Sequence, residues 1–152
     1  MPMRGGTPIP DLSGATEWIN GEVKTADLIG SPILIHFWAI SCPICHDNMP
    51  TVEQWREQYA DRGLKVVAIH MPRQEEDTRG EAVRAQVAAM RMEEPCAIDN
   101  RHTIGERFEN QLWPAYYLFD AEGKMRSRAG GYAGLQIIED RIKKLMEPTP
   151  AE

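Results

Sequence analysis

The sequence predicts an α/β fold in which a mixed sheet is flanked by helices. Two apolar runs, residues 33–40 and 64–71, read as buried strands, and a helical pattern lies between them. A strand, a helix and a strand of these lengths form a right-handed unit with parallel strands. Two later strand-like segments, 115–120 and 124–129, flank a turn at 121–123 and are expected to be antiparallel. Parallel and antiparallel pairs together give a mixed sheet.

The helix after Cys42 has apolar residues at helical spacing, and Gly63 is placed to end it. Thr78 and Thr103 each precede a glutamate by three residues, a capping-box pattern that predicts the start of a helix. Between the second strand and the antiparallel pair, we predict a helix at 79–92, a strand at 96–99 and a helix at 103–110. A final helix is predicted at 134–147.

The N-terminal part of the chain contains a strong hairpin signal. Asn20-Gly21 separates two short strand-like runs, and both positions of such a turn need a positive φ. We therefore predict an N-terminal hairpin at 16–25. Residues 1–15 and 148–152 are expected to be extended or disordered, and residues 1–152 to form a single domain.

Composition narrows the class of protein. The 152 residues carry a net charge of −6, which argues against binding to nucleic acid, because phosphates require a basic face. No apolar stretch is long enough to span a membrane. The N-terminus lacks the apolar region of a signal peptide, so we expect a cytoplasmic protein, or an extracytoplasmic one if a signal segment has been removed.

Cys42-Pro43-Ile44-Cys45 follows the first buried strand and opens a helix. This C-x-x-C spacing at a strand-to-helix junction is typical of thiol–disulfide exchange. The positive end of the helix dipole favours a thiolate, so Cys42 is expected to be the exposed nucleophile. Cys45, one turn further on, is expected to be more buried and to resolve the mixed disulfide.

Other interpretations of this motif are weaker. Incidental cysteines remain an alternative, and a zinc site would need a second pair of ligands beyond Cys96 and scattered histidines. Cys42 to His46 matches the C-x-x-C-H pattern of c-type haem, but it follows a buried strand in an α/β chain. We therefore predict no metal and no cofactor other than the Cys42–Cys45 disulfide or dithiol.

Two segments together make the resemblance to a family specific. Phe37-Trp38-Ala39, followed by the two cysteines and by Pro50, resembles the thioredoxin-like superfamily. The segment 112–119, which begins Leu-Trp-Pro-Ala, resembles the cis-proline segment of the thioredoxin fold. The section 64–99 is similar to the central insert of the TlpA/ResA branch of thiol–disulfide oxidoreductases.

The resemblance implies roles for individual residues. Cys42 and Cys45 match the attacking and resolving cysteines, and Pro114 matches the cis-proline that packs against them. The backbone at Trp113 would pair with an extended segment of a substrate protein. Trp38, Pro43, Trp113 and Pro114 are thus the expected substrate-binding residues, with a core role for Trp38 as an alternative. The implied partners are protein disulfides and an upstream thioredoxin or thioredoxin reductase. We expect the protein to be a monomer.

Two departures from the family concern acids. Thioredoxin has a buried aspartate at the position of His36, and ResA-type relatives have a glutamate at the position of Asn48. His36 is either a base that helps proton transfer or a satisfied histidine in the core. His46 is expected to face solvent and Cys96 to be structural, and no role is assigned to His70 and His102.

Reduction of protein disulfides through Cys42 and Cys45 is the predicted function. A peroxiredoxin-like peroxide reductase is one alternative, although Ala39, Ile40 and Ser41 do not fit the expected threonine or serine and proline. A non-enzymatic redox sensor, whose disulfide switches a surface, is the other.

Overall fold

A sheet of six strands forms the centre of the computed structural model, which describes residues 3–147. The strands are β1 (Glu17–Ile19), β2 (Ile33–Trp38), β3 (Lys65–His70), β4 (Cys96–Ile98), β5 (Ala115–Phe119) and β6 (Met125–Gly130). The helices are α1 (Thr25–Leu28), α2 (Pro43–Tyr59), α3 (Gly80–Ala89), α4 (Thr103–Arg107) and α5 (Gly134–Met146). Short 3₁₀ helices at Ala60–Arg62 and Glu75–Thr78 follow α2 and precede α3.

The strand order is β1-β4-β3-β2-β5-β6, which confirms the predicted mixed sheet. β3 is parallel to both β2 and β4, whereas the β1–β4, β2–β5 and β5–β6 pairs are antiparallel. β2 is central, and all six of its residues are buried. The strand that leads to the C-x-x-C motif is therefore fully enclosed within the sheet.

Alternate residues of β2 serve two different cores, because side chains alternate across a strand. Ile33, Ile35 and Phe37 belong to the core on one face, where Phe37 packs edge-to-face with Phe108 at a centroid distance of 5.3 Å. Leu34 and Trp38 belong to clusters on the other face, together with residues of α2. His36, between them in sequence, lies on this α2 face.

The predicted N-terminal hairpin at 16–25 is wrong. β1 pairs with β4, and residues 22–24 form no strand. Asn20 and Gly21 do have positive φ values of 66° and 106°. However, the Asn20 side chain donates to the carbonyls of Met92 and Glu94, at 2.8 and 3.1 Å, so this turn joins β1 to the end of the central insert.

Both predicted capping boxes are also wrong. Thr78 Oγ1 donates to the Glu75 carbonyl, and α3 has no side-chain cap. At α4, the caps come from Asp99, whose two carboxylate oxygens accept the N–H groups of Ile104 and Gly105 at 3.0 and 2.8 Å. Asp99 directly follows β4. The loop between Asp99 and α4 brings the carboxylate to the helix N-terminus, a separation in sequence that a capping box does not have. α4 is also shorter than the predicted 103–110.

Residues 3–15 contain little regular structure, yet they pack against the sheet. Met3, Ile9 and Leu12 are buried in the core on the Phe37 face. Pro8 forms an isolated bridge with Lys124. The segment 148–152, expected to be extended or disordered, lies outside the described residues.

Candidate active site

Cys42 and Cys45 lie at the junction of β2 and α2. Cys42 is the N-cap of α2, Pro43 is its exposed first residue, and Cys45 lies in the first turn. The two sulfurs form a disulfide with Cα atoms 5.3 Å apart, and the Cys45 N–H donates to Cys42 Sγ at 3.1 Å. After reduction, that N–H and the helix dipole would stabilise a Cys42 thiolate. The pair can therefore exchange two electrons between disulfide and dithiol.

Both cysteines are buried in this oxidised state. Cys42 is 2% exposed and Cys45 is 1% exposed, so the expectation of an exposed Cys42 is wrong here. The pair belongs to an apolar cluster against which Ile44 and Trp113 pack. These neighbours leave the Cys42 sulfur almost no contact with solvent.

Trp113 and Pro114 approach the site from the start of β5. Their peptide bond is cis, and Pro114 is buried. The Trp113 indole packs against the cysteine cluster and donates from Nε1 to the Met71 carbonyl at 2.6 Å. The Pro114 carbonyl accepts from the Gly131 N–H at 2.9 Å. The fold thus brings together two motifs that are far apart in sequence.

Trp38 and Cys96 lie inside the same cluster, beneath the disulfide. Trp38 is fully buried and packs edge-to-face with His70 at a centroid distance of 4.8 Å, which is the position of a core aromatic residue. Burial raises the pKa of the Cys96 thiol to about 12, while the nearby Trp38 indole lowers it to a smaller extent. Cys96 is therefore a protonated thiol at neutral pH and a poor nucleophile.

His36 has a buried acidic partner that sequence reasoning missed. Glu94 is 3% exposed, and its Oε2 lies 2.7 Å from His36 Nε2. The other oxygen, Oε1, accepts from Arg56 Nη1 at 2.7 Å. Burial alone would raise the pKa of Glu94, but the hydrogen bond and charge of His36, with Arg56, leave that pKa below its ordinary value. An ionised carboxylate is thus held beneath α2.

The only sequence signal for Glu94 was indirect. Both positions at which the resemblance implied an acid carry a neutral or basic residue here, while a histidine in a buried strand needs a hydrogen-bond partner. Asn48, at the second of those positions, donates from Nδ2 to the Tyr116 hydroxyl at 3.0 Å. The acid is supplied instead by the loop before β4.

Two other histidines hold the turn before Cys42. His46 Nε2 lies 2.9 Å from the Ile40 carbonyl and is half-buried, so its expected position in solvent is wrong. His70, to which the sequence assigned no role, accepts the Ile40 N–H at Nε2 over 3.1 Å. Burial lowers the pKa of His70 to about 4, although the charge of Asp77 opposes this shift. A neutral His70 is required for that acceptor role.

Among residues 3–147, no three His, Cys, Asp or Glu side chains converge as a metal site would require. Within the same range, every helix is too short or too polar to cross a membrane.

Comparison with known proteins gives one family and close relatives. A model of the AhpC/TSA family matches residues 6–128. The chain is 41% identical over 143 residues to the thiol-disulfide oxidoreductase YkuV of Bacillus subtilis (strain 168), covering 93% of this chain and 96% of YkuV.

Two solved structures are similar to this chain over nearly its whole length. A thioredoxin-like protein in its oxidised form in solution superposes with a TM-score of 0.89 at 40% identity, over 97% of this chain and all (100%) of the other. A DsbE-type thiol:disulfide interchange protein from Chlorobium tepidum gives a TM-score of 0.82 at 25% identity, over 95% of this chain and 99% of its own. These likenesses confirm the predicted thioredoxin-like fold.

Proposed function

The chain belongs to the AhpC/TSA family and is a thiol–disulfide oxidoreductase, and on that premise we propose that it reduces disulfides of other proteins, with Cys42 as nucleophile. One observation carries this proposal. Cys42 caps the N-terminus of α2 and accepts the Cys45 N–H, so the helix stabilises negative charge on that sulfur.

The reaction has two exchange steps. The Cys42 thiolate attacks one sulfur of a substrate disulfide, a Cys42–substrate disulfide forms, and the other substrate sulfur leaves as a thiolate and takes up a proton. Cys45 then loses its proton and attacks Cys42, which forms the Cys42–Cys45 disulfide and releases the second substrate thiolate. Two electrons pass from the dithiol to the substrate.

His36 and Glu94 support the second step in this proposal. His36 lies on the α2 face of β2, between residues whose side chains join the clusters around α2. Glu94 also borders a surface cavity of about 360 Å³, lined by Arg56 and Lys65 among others, where its carboxylate can exchange protons with solvent. The pair thereby gives the Cys45 proton a route out of an apolar cluster.

Trp113 offers a place for the substrate chain. Within residues 3–147 its backbone N–H and C=O have no hydrogen-bond partner, whereas Pro114 already uses its carbonyl and β5 begins at Ala115. Two free backbone groups beside the disulfide suit pairing with an extended segment of a substrate protein. Pro43, exposed at the start of α2, lies on the same rim.

The direction of electron flow depends on the compartment. We propose a cytoplasmic monomer, since cytoplasmic thiol systems keep such a pair reduced, recharged by a thioredoxin or a thioredoxin reductase. The reduction potential of the Cys42–Cys45 pair, measured against glutathione, tests this direction. A potential as oxidising as that of disulfide-forming enzymes would contradict a reductase.

Cysteine variants test the function. With dithiothreitol as electron source and insulin as substrate, Cys42→Ser is expected to reduce disulfides no faster than dithiothreitol alone. Cys45→Ser is expected to accumulate a mixed disulfide with the substrate, visible by non-reducing electrophoresis. Cys96→Ala is the matched control and should retain activity. Wild-type turnover in Cys42→Ser would exclude the mechanism, and steady peroxide consumption by Cys45→Ser would favour a peroxide reductase.

A further inference from the structure

The segment that follows β3 folds back against the turn that carries Cys42. Asp77 Oδ2 accepts the Ser41 hydroxyl at 2.6 Å and the Arg73 backbone N–H at 3.0 Å. Arg73 in turn donates from Nη1 to the Ser41 carbonyl at 2.7 Å. Ser41, Asp77 and Arg73 therefore form a closed ring of hydrogen bonds next to the nucleophilic cysteine.

Asp77 differs from its acidic neighbours. Glu75 and Glu76, in the same 3₁₀ helix, are exposed, whereas Asp77 is 1% exposed. A buried carboxylate is costly unless hydrogen bonds compensate for its lost hydration. Of the two hydrogen bonds that its Oδ2 accepts, one comes from Ser41 in the redox turn and the other from Arg73 in the segment that covers that turn. The hydrogen bonds that compensate for the burial of Asp77 therefore connect it to Ser41 and Arg73.

The rest of the turn is held in a similar way. The Ile40 N–H and C=O contact His70 and His46, and the Cys42 N–H donates to the Ala39 carbonyl at 3.1 Å. In the oxidised protein the disulfide also restrains Cys42. After reduction the turn is held by these hydrogen bonds and by the packing of Ala39 and Cys42 in the apolar cluster.

We propose that Asp77 is a positioning residue for Cys42: by holding Ser41 and Arg73 together it fixes the redox turn in the reduced protein and keeps the Arg73 guanidinium one residue from the nucleophile. The positive charge of Arg73 then stabilises the Cys42 thiolate. This inference rests on the proposed role of Cys42.

The sign of a pKa change distinguishes positioning from simple charge. If Asp77 acted on Cys42 only through its negative charge, removing that charge would lower the pKa of the Cys42 thiol. If Asp77 positions Arg73, Asp77→Ala releases the guanidinium and the pKa of Cys42 rises. Asp77→Asn keeps an oxygen that can accept both hydrogen bonds and should restore most of the lost rate.

The experiment uses the reduced protein of 152 residues. The pKa of Cys42 is read from thiolate absorbance at 240 nm, and the rate from attack on a protein disulfide under single-turnover conditions. Asp77→Ala is expected to raise the pKa and to slow attack on the order of tenfold. Glu76→Gln, which removes an exposed charge from the same 3₁₀ helix, is the control and should match the wild type.

Ser41→Ala and Arg73→Gln keep the proposal testable if Asp77→Ala does not fold, because each removes one contact of the ring at a more exposed position. Both are expected to raise the pKa of Cys42. An unchanged or lowered pKa with a wild-type rate in these variants overturns the positioning role alone. Activity that survives Cys42→Ser overturns the proposed nucleophile instead.

Discussion

His36 and Glu94, 58 residues apart in sequence, meet through a buried 2.7 Å contact between Nε2 and Oε2. Arg56 completes the group from α2 at 2.7 Å. A histidine from a strand, a carboxylate from a loop and a guanidinium from α2 are thus brought together beneath the helix that carries Cys45. His36 lies at the position where the resemblance to thioredoxin implied an aspartate, and the carboxylate comes from another part of the chain.

Glu94→Gln should slow the resolving step. Loss of the carboxylate leaves His36 without its charged partner, so the proton of Cys45 is removed less readily. We expect resolution to slow on the order of 100-fold, with accumulation of the Cys42 mixed disulfide in rapid-quench samples. The first attack by Cys42 should change little.

Glu93→Gln is the matched control for that substitution, because Glu93 is the exposed neighbour of Glu94. Its kinetics should equal those of the wild type. If Glu94→Gln resolves the mixed disulfide at the wild-type rate while remaining folded, the pair has only a structural role.

Stability in acid should also depend on Glu94. Its pKa in the folded protein lies below the ordinary value of 4.5, because the favourable contacts with His36 and Arg56 outweigh the opposing effect of burial. The carboxylate therefore stabilises the fold above pH 4.5, and this contribution is lost as the pH falls through the lowered pKa.

Urea unfolding at pH 7 and at pH 3 measures this contribution. Glu94→Gln is expected to be about 3 kcal/mol less stable at pH 7, since a buried ion pair loses one partner. Its deficit relative to the wild type should shrink at pH 3. A deficit of equal size at both values would show that ionisation of Glu94 does not stabilise the fold.

The parts of the fold that the sequence predicted are those with a local pattern. The apolar run of β2 and Pro43 at the start of α2 mark the corner that carries the two cysteines, and the predicted thiol–disulfide oxidoreductase is confirmed by the relatives. The Trp113–Pro114 segment was identified through resemblance, because nothing local distinguishes its proline from others.

The features that the sequence did not predict depend on distant partners. Asn20-Gly21 has the backbone geometry of a hairpin turn, but the partner of β1 is β4, which lies far along the chain. Glu94 and Asp77 look like any surface acid in an acidic stretch. Only the folded sheet determines which carboxylate in each stretch is turned inward.

Cys96 should be unreactive in the native protein. Burial raises the pKa of its thiol to about 12, so at pH 8 almost none is present as thiolate. Titration with Ellman's reagent should find no reactive thiol in the native oxidised protein and two in the native reduced protein, the third appearing only after denaturation. Modification of Cys96 in the folded state at a rate similar to Cys42 would contradict its buried position.

His70 should make the fold sensitive to mild acid. Burial lowers its pKa to about 4 from 6.5, so the unfolded chain takes up a proton where the folded protein does not. The stability from a neutral His70 is complete above pH 6.5 and is lost as the pH falls through about 4. An NMR titration should find the His70 ring neutral at pH 5. His70→Gln should reduce the dependence of stability on pH in this window.

Trp113 should separate protein substrates from small disulfides. Its ring packs against the cysteine cluster, and within residues 3–147 its backbone N–H and C=O have no hydrogen-bond partner and are the groups proposed to pair with a substrate chain. Trp113→Ala removes the ring that helps to cover the cysteines and loosens this segment. We expect kcat/KM for a protein disulfide to fall on the order of tenfold, while oxidised glutathione, too small to need the pairing, reacts as fast or faster.

Trp113→Phe, which keeps an aromatic ring but loses the hydrogen bond to the Met71 carbonyl, should lie between the wild type and Trp113→Ala. Equal losses for both kinds of substrate would place the effect at Cys42 itself and would contradict a substrate-binding role for Trp113.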